Sequence, residues 1–233
     1  MKSQDLLKHL IFGSIFTLSL LVSCKKDKEE NIEKLPCTIT TDKVLEDKGD
    51  GIDYLASCEV QVTKGTLTVK PGVTIAFETN AGITVREQGA LVAEGTVSKP
   101  ILFTGKNKAR GAWMGIFFHS NSVLNKLNYT TVEYAGGSIQ TDMDEETAIG
   151  VGTTDININE PSRVLITNTT VKESNGYGIS IDYNTNITGF ANNKLINNDM
   201  AGVRLPLGYL GFLDAASDYL TGEWWRIYRC KDW

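Results

Sequence analysis

The chain has 233 residues, of which 41% are hydrophobic and 22% are charged, and its formal net charge is −5. These proportions are typical of a folded globular domain that is large enough for a sizeable core. The negative charge and the lack of a basic stripe interleaved with aromatic residues argue against nucleic acid as a partner, because phosphate binding requires a concentrated basic surface.

The first 23 residues have the pattern of a targeting segment. An apolar run from about residue 10 to residue 22 is shorter than the ~20 residues of an ordinary membrane span. The run ends in Leu21-Val22-Ser23-Cys24, which resembles the bacterial lipobox, where the leader is cut before a cysteine that then carries lipid. We therefore expect residues 1–23 to be a lipoprotein signal peptide and Cys24 to be the lipidation site. A plain secretory leader with an incidental cysteine is the alternative.

Residues 24–36 predict a charged tether. Between Lys25 and Lys34 the only apolar residue is Ile32, so this segment has little with which to pack. The charged run behind Cys24 also resembles the surface-export signal of Bacteroidota lipoproteins. These features predict attachment to the outer membrane through lipid on Cys24 and exposure on the cell surface. A simple spacer on the periplasmic side is the alternative.

Three further cysteines follow, in a compartment where disulfides can form. Cys37 and Cys58 are candidates for a disulfide that closes a short loop near the start of the domain and adds roughly 3 kcal/mol to stability. Cys230 is then left over. The sequence contains no CxxC pair and no histidine-rich spacing, so it predicts no metal centre of the zinc type.

A repeat of 24 residues is visible toward the C-terminus, where Ile166 and Asn168 reappear as Phe190 and Asn192. Extended backwards from these two copies, the alternating apolar positions fall into three columns, with turns rich in glycine and asparagine. A period of this length, carried by short strands, is typical of a stack of coils in which each coil buries its apolar edge on the next. The predicted fold is therefore all-β, a three-sided solenoid of about five coils.

The succession of motifs also resembles a known family. It includes Leu67-Thr68-Val69-Lys70-Pro71-Gly72-Val73, Gly89-Ala90-Leu91-Val92-Ala93-Glu94-Gly95-Thr96 and Gly111-Ala112-Trp113-Met114-Gly115-Ile116. These segments resemble right-handed parallel β-helix proteins of the pectin-lyase-like type, as found among Bacteroidota surface lipoproteins. The resemblance implies a single-stranded right-handed parallel β-helix over residues 37–233, for which we expect an N-terminal cap at 37–66 and an aromatic C-terminal cap at 218–233. It does not imply one activity.

Candidate binding residues come from the insertions and from the outward positions of the coils. An excess of about 15 residues over the coil period lies at 136–147, and its acids could offer oxygen ligands to Ca²⁺, although the EF-hand spacing is absent. Trp113 and Tyr134 adjoin insertions and are candidates for stacking against sugar rings. The other candidates are the acids Asp142, Asp144, Glu145 and Glu146 and the outward-facing Arg86 and Arg204.

One of the three columns is interpreted as an outer wall, and its outward positions are Thr84, Arg86, Phe117, His119, Gly150, Gly152, Ser180, Asp182 and Arg204. Asp182 is the single carboxylate among them, whereas glycosidases need a pair of carboxylates around the sugar. The sequence therefore predicts a non-catalytic, lipid-anchored surface module that binds a glycan or a protein partner, with Ca²⁺ as the only cofactor to consider. Two alternatives stay open. One is a lyase-like enzyme that acts on acidic polysaccharides with Arg86 or Arg204 as its base, and the other is a purely structural or adhesive column.

Overall fold

The structure is a computed structural model that describes residues 32–138, 143, 145–152, 160–213 and 217. These residues belong to one compact unit, which runs from Ile32 to Trp233. The expected signal peptide, the lipidation site Cys24, residues 24–31 of the expected tether, Cys230 and the expected C-terminal cap lie outside the described residues. In the described part, no helix has the length and apolar character needed to span a membrane.

Short strands dominate the described residues, because apolar and polar side chains alternate along each of them. A single 3₁₀ helix of the described part, Leu207–Phe212, follows the last strand. The strands are, in chain order, β1 (Glu33–Lys34), β2 (Thr38–Ile39), β3 (Lys43–Leu45), β4 (Tyr54–Ala56), β5 (Glu59–Val69), β6 (Thr74–Phe77), β7 (Gly82–Glu94), β8 (Ile101–Gly105), β9 (Ile116–Phe118), β10 (Lys126–Asn128), β11 (Thr130–Glu133), β12 (Thr147–Val151), β13 (Ser162–Thr167), β14 (Thr170–Lys172), β15 (Tyr177–Ile181), β16 (Thr185–Ala191), β17 (Lys194–Ile196) and β18 (Val203–Arg204).

The strands build three faces, and each strand pairs in parallel with its counterparts in the neighbouring coils. The first face consists of β2, the first part of β5, the first part of β7, β9, β12, β15 and β18. The second face consists of β3, the second parts of β5 and β7, β10, β13 and β16. These two faces form one continuous sheet, because β5 and β7 pass through the corner between them. The third face is a separate sheet in the order β1-β4-β6-β8-β11-β14-β17. This arrangement confirms the predicted parallel β-helix.

The register of the strands reproduces the 24-residue repeat. Ile166 pairs with Phe190 on the second face, and Ile179 pairs with Val203 on the first. Inward-facing side chains stack in columns, and on the first face one fully buried column runs through Ile83, Ile116, Ile149 and Ile179. Each such side chain contributes about 1.5–3 kcal/mol relative to an exposed one. The stacked apolar columns therefore form the core that runs the length of the described coils.

Winding begins well before residue 66. Lys43–Leu45 pairs with Leu67–Val69, and Tyr54–Ala56 pairs with Ile75–Phe77, so the segment for which a cap is expected at 37–66 contributes stacked strands. A disulfide between Cys37 and Cys58 joins the first coil to the second, with 5.7 Å between their Cα atoms. At the other end of the described coils, the 3₁₀ helix follows β18. There the ring of Phe212 packs edge-on against Phe190.

Candidate functional site

The outward row of the first face is closed to solvent. Register places Thr84, Phe117, Gly150 and Ser180 side by side in this row, and Thr84, Phe117 and Ser180 are fully buried. Met143, from the insertion, covers part of this row. It packs so closely over Gly150 that a Cβ added to this glycine would lie 3.1 Å from the Met143 methyl carbon and 2.6 Å from the Phe117 ring. The row that sequence reasoning takes as an exposed wall is therefore packed beneath another segment.

Arg204, one of the two candidate bases, forms an ion pair on this face. Its Nη1 lies 3.2 Å from Asp182 Oδ1 and donates a hydrogen bond of 3.2 Å to Ser180 Oγ. The side chains of Arg204 and Asp182 are only 13% and 5% exposed. The guanidinium is thus nearly buried and bonded to two side chains of the same face. Arg86, the other candidate, is half-buried at the corner that follows the same face.

The two aromatic candidates have different surroundings. Trp113 is fully buried, its ring stacks 4.1 Å from that of Phe77, and its Nε1 donates a hydrogen bond to the Glu133 carbonyl. The prediction that Trp113 binds a ligand is therefore wrong, because the indole is part of the core. Tyr134 is half-buried at a corner, with the Lys108 ammonium 5.5 Å from the centre of its ring.

The acidic insertion is described only in part. Asp142 and Asp144 lie outside the described residues, whereas Glu145 and Glu146 are half-buried. Glu146 Oε2 accepts a hydrogen bond of 2.7 Å from Asn175 Nδ2, so this acid is tied to the neighbouring coil. The described ranges contain no group of three or more His, Cys, Asp or Glu side chains that could hold a metal ion. Binding of Ca²⁺ by the insertion stays a prediction.

An open groove of about 370 Å³ runs along the corner between the second and third faces, and we call it the corner groove. Its floor includes Thr131, Thr170 and Lys194, which are paired in register on consecutive coils of the third face. Consecutive coils are about 4.8 Å apart, so these three side chains form a row parallel to the stacking direction. Sequence reasoning did not single them out, although all three stand at outward positions of the same column.

The corner itself is held by left-handed residues and side-chain amides. Tyr129, Asn168 and Asn192 occupy successive coils, with φ angles of 47°, 50° and 56°, and all three line the corner groove. Asn128 Oδ1 accepts a hydrogen bond of 2.9 Å from Asn168 Nδ2. Beneath them, the fully buried Asn193 accepts from the Thr169 amide and donates to a backbone carbonyl. These bonds satisfy the buried backbone of the turn and make the corner rigid.

One wall of the corner groove is the turn at residues 96–100. Thr96 and Lys99 close this turn by two hydrogen bonds of 3.0 Å, one backbone and one through the Thr96 hydroxyl. The Lys99 ammonium lies 2.9 Å from Asp47 Oδ2, which fixes the turn to an earlier coil. Val97 stands at the tip with 80% of its surface exposed. The wall is thus a fixed edge with an apolar rim.

Among the described residues, the lining of the corner groove is mostly polar and includes no acid. It offers threonine hydroxyls, asparagine amides, the Tyr129 ring and one cation, Lys194. Within the described coils no carboxylate lies within ion-pair distance of Lys194, whereas many other cations are paired. The paired cations are Lys43, Lys48, Lys99, Lys106, Lys108, Lys126, Lys172, Arg110 and Arg204. Hydroxyls, amides and one tyrosine ring are suited to a hydroxyl-rich ligand, and Lys194 is available to one anionic substituent.

A second polar cluster on the third face surrounds Glu133, which is 8% exposed. Its carboxylate accepts a hydrogen bond of 2.8 Å from Thr104 and lies 3.2 Å from Lys108 and 3.1 Å from Lys172. Burial raises the pKa of Glu133, but the hydrogen bonds from Thr104, Lys172 and Lys108 together lower it more. The pKa of this carboxyl is therefore below its ordinary value.

The lowered pKa of Glu133 makes the cluster sensitive to acid. Because the folded-state pKa is below that of the unfolded chain, the stabilising contribution is complete above the unfolded-state pKa. It is lost as the pH falls through the folded-state value. We expect the Glu133→Gln variant to lose less unfolding free energy than the wild type between neutral and acidic pH, as measured by urea unfolding. Glu94→Gln, at an exposed glutamate paired with Lys126, is the control. An unchanged acid dependence in Glu133→Gln would contradict the assignment.

Comparison with known proteins agrees with the described fold over the first half of the chain. Residues 37–144 match a family model described as a pectate-lyase like beta helix domain. No curated protein and no solved structure matches the chain. The matched segment includes the turn at residues 96–100 and Tyr129, and therefore one end of the corner groove. The protein is thus a parallel β-helix whose residues 37–144 are similar to the pectate-lyase-like β-helix domain.

Proposed function

We propose that this protein is a lipid-anchored surface β-helix that binds a polysaccharide in the corner groove without cleaving it. The observation that carries the proposal is the open row of Thr131, Thr170 and Lys194 on consecutive coils beside a rigid corner of amides. A groove parallel to the stacking direction is suited to an extended polymer. The regular spacing of the row offers repeated hydrogen-bonding groups to repeated units of such a ligand.

Binding without cleavage follows from the chemistry of the lining. Hydrolysis of a glycosidic bond uses two carboxyl groups on either side of the bond, and none of the described residues that line the corner groove carries one. Elimination requires a base, and the lyase-like alternative depends on Arg86 or Arg204. Arg204 is nearly buried and is paired with Asp182, and it belongs to the closed first face rather than to the corner groove. The geometry therefore favours a binding module over the lyase-like alternative.

Attachment to the outer membrane is the second part of the proposal. It is supported by the sequence Leu21-Val22-Ser23-Cys24 behind an apolar run and by the charged segment that follows Cys24. Lipidation at Cys24 would place the β-helix on a short tether at the membrane surface. Incorporation of a labelled fatty acid into the wild-type chain, and its loss in Cys24→Ala, is the expected result. Labelling that persists in Cys24→Ala would contradict this part of the proposal.

The test of the corner groove is a binding experiment with a blocked variant. Thr170→Tyr adds a ring on the floor of the corner groove, and Thr68→Tyr makes the same change at a half-buried outward position of the second face. We expect the wild type to retain oligosaccharides on a glycan array and to leave them uncut. We also expect Thr170→Tyr to bind at least tenfold more weakly, which corresponds to about 1.4 kcal/mol. Equal urea midpoints of the two variants would show that both are folded.

Two results would count against the proposal. Failure of the wild type to retain any glycan would favour the structural or adhesive column. An equal loss of affinity in Thr68→Tyr and Thr170→Tyr would place the binding site outside the corner groove. Shortened products or unsaturated sugars after incubation would favour the lyase-like alternative instead.

A further inference from the structure

Tyr129 has a backbone conformation that is rare for its residue type. Its φ angle is 47°, in the left-handed region, where a bulky aromatic residue is a genuine outlier. In the next two coils the equivalent positions are Asn168 and Asn192, with φ angles of 50° and 56°. Asparagine tolerates this region because its short side chain bonds to nearby backbone. The corner turn therefore requires a left-handed residue, and Tyr129 is an unfavourable choice on grounds of stability alone.

The surrounding coils hold Tyr129 in this conformation. Its carbonyl accepts a hydrogen bond of 3.0 Å from the Ile101 amide, and the preceding carbonyl, of Asn128, accepts one of 2.8 Å from the Gly95 amide. A Cβ on Gly95 would overlap the Tyr129 carbonyl oxygen, so the close approach of these two segments requires a glycine at this position. Strain that is held in place by its surroundings is concentrated at sites of function, so an outlier of this kind points to a role for the side chain.

The location of the side chain indicates what that role is. Tyr129 is half-buried and lines the corner groove next to the turn at residues 96–100. Tyr134 is also left-handed, with a φ angle of 63°, but its ring faces the Lys108 ammonium and it does not line the corner groove. A phenol ring is a large, rigid and amphipathic surface, and an apolar face of a sugar ring can stack on it. Tyr129 is the aromatic residue among the described residues that line the corner groove.

We propose that Tyr129 is the stacking platform of the corner groove and that it selects polysaccharides of six-membered sugar rings, which present an apolar face of C–H groups. This inference rests on the proposed function and specifies its ligand class. The left-handed backbone is kept at the expense of stability because it directs the ring into the corner groove. Tyr129 is a specificity-determining residue, and the threonine row supplies hydrogen bonds along the rest of the ligand.

The inference predicts opposite effects on stability and on binding for a single substitution. Tyr129→Asn places in this coil the residue found at the equivalent position of the next two coils, so the urea midpoint is expected to rise. The affinity for the retained oligosaccharides is expected to fall about tenfold. Tyr129→Phe keeps the ring and the strain, and is expected to keep the wild-type affinity within threefold. The probes are hexasaccharides of glucose, xylose, galactose, mannose and galacturonic acid, all pyranoses, and a fructofuranose hexasaccharide.

The outcomes separate this inference from the proposed function. Binding that is lost in Thr170→Tyr but unchanged in Tyr129→Asn would overturn the stacking role and leave the corner groove as the site. Preference of the wild type for the furanose probe would overturn the ligand class. A urea midpoint that falls in Tyr129→Asn would show that Tyr129 serves the fold and would overturn the inference. Failure of the wild type to bind any probe would remove both proposals.

Discussion

Replacing Trp113 with alanine is expected to lower the free energy of unfolding by about 3 to 5 kcal/mol, the range for removal of a large buried aromatic side chain. The indole is fully buried and stacks on Phe77, so its loss leaves a cavity in the core. The hydrogen bond from its Nε1 to the Glu133 carbonyl is lost as well. Urea unfolding followed by circular dichroism would measure the change.

Two controls make this prediction specific. Trp113→Phe keeps a ring against Phe77 but removes the hydrogen-bond donor, and is expected to cost about 1 to 3 kcal/mol. Val97→Ala, at the exposed tip of the groove wall, is expected to change the stability by less than about 0.5 kcal/mol. A Trp113→Ala variant that kept its stability but lost glycan binding would show that the indole contacts the ligand after all.

Replacing Gly136 with alanine is expected to cost roughly 2 to 6 kcal/mol, the sum of two separate penalties. The φ angle of Gly136 is +82°, where a side chain is strained whatever space surrounds it. A Cβ at this position would also overlap the carbonyl oxygen of Asn175 in the neighbouring coil. Because the obstacle is backbone, relief requires a shift of one coil against the next. Thermal or urea unfolding would measure the loss.

Two other glycines separate the penalties. Gly49 has a φ angle of +112° but nothing within 4 Å of its Cβ position, so Gly49→Ala is expected to show only the conformational penalty, about 1 to 3 kcal/mol. Gly208, in the 3₁₀ helix, has open space and no left-handed φ, so Gly208→Ala is expected to be nearly neutral. Equal losses in Gly136→Ala and Gly49→Ala would show that the contact with Asn175 is relieved at no cost.

The sequence predicts the winding of the chain well because the repeat and the alternation are properties of the core. A coil can bury its apolar edge only if inward residues recur at the same place in each turn. The 24-residue match of Ile166 with Phe190 therefore translates directly into strand register. The same reasoning aligns Ile83, Ile116, Ile149 and Ile179, although the insertion at 136–147 lies between the second and the third of them.

The sequence does not show which outward side chains stay exposed. Alternation distinguishes inward from outward positions, but an outward residue such as Phe117 is buried when an insertion packs over it, as Met143 does. Trp113 was misassigned for a related reason. Its proximity to an insertion suggested an exposed loop, whereas the indole packs back against Phe77. Such contacts depend on the path that an insertion follows. The sequence of an insertion does not share the coil repeat, so this path cannot be inferred from the repeat.

Corner chemistry was also only partly predictable. The sequence indicates turns rich in asparagine, and the Asn168 side chain bonds to Asn128 of the preceding coil. At Gly178 the φ angle is not left-handed, and glycine is needed there because a side chain would crowd Asn198 and the Gly202 carbonyl. Left-handed φ angles at Tyr129 and Tyr134 could not be inferred, because nothing in the sequence marks an aromatic residue for that region.

The disulfide between Cys37 and Cys58 has a mechanical consequence. In a stack where each coil touches only its neighbours, a pull from the N-terminal side would peel the coils away one at a time, starting with the first. Peeling can proceed only as far as Cys37, where the load passes through the covalent bond to Cys58 on the second coil. Residues 38–57 are then bypassed by the force. The bond thus protects the first coil from a force that is applied at the N-terminal end of the column.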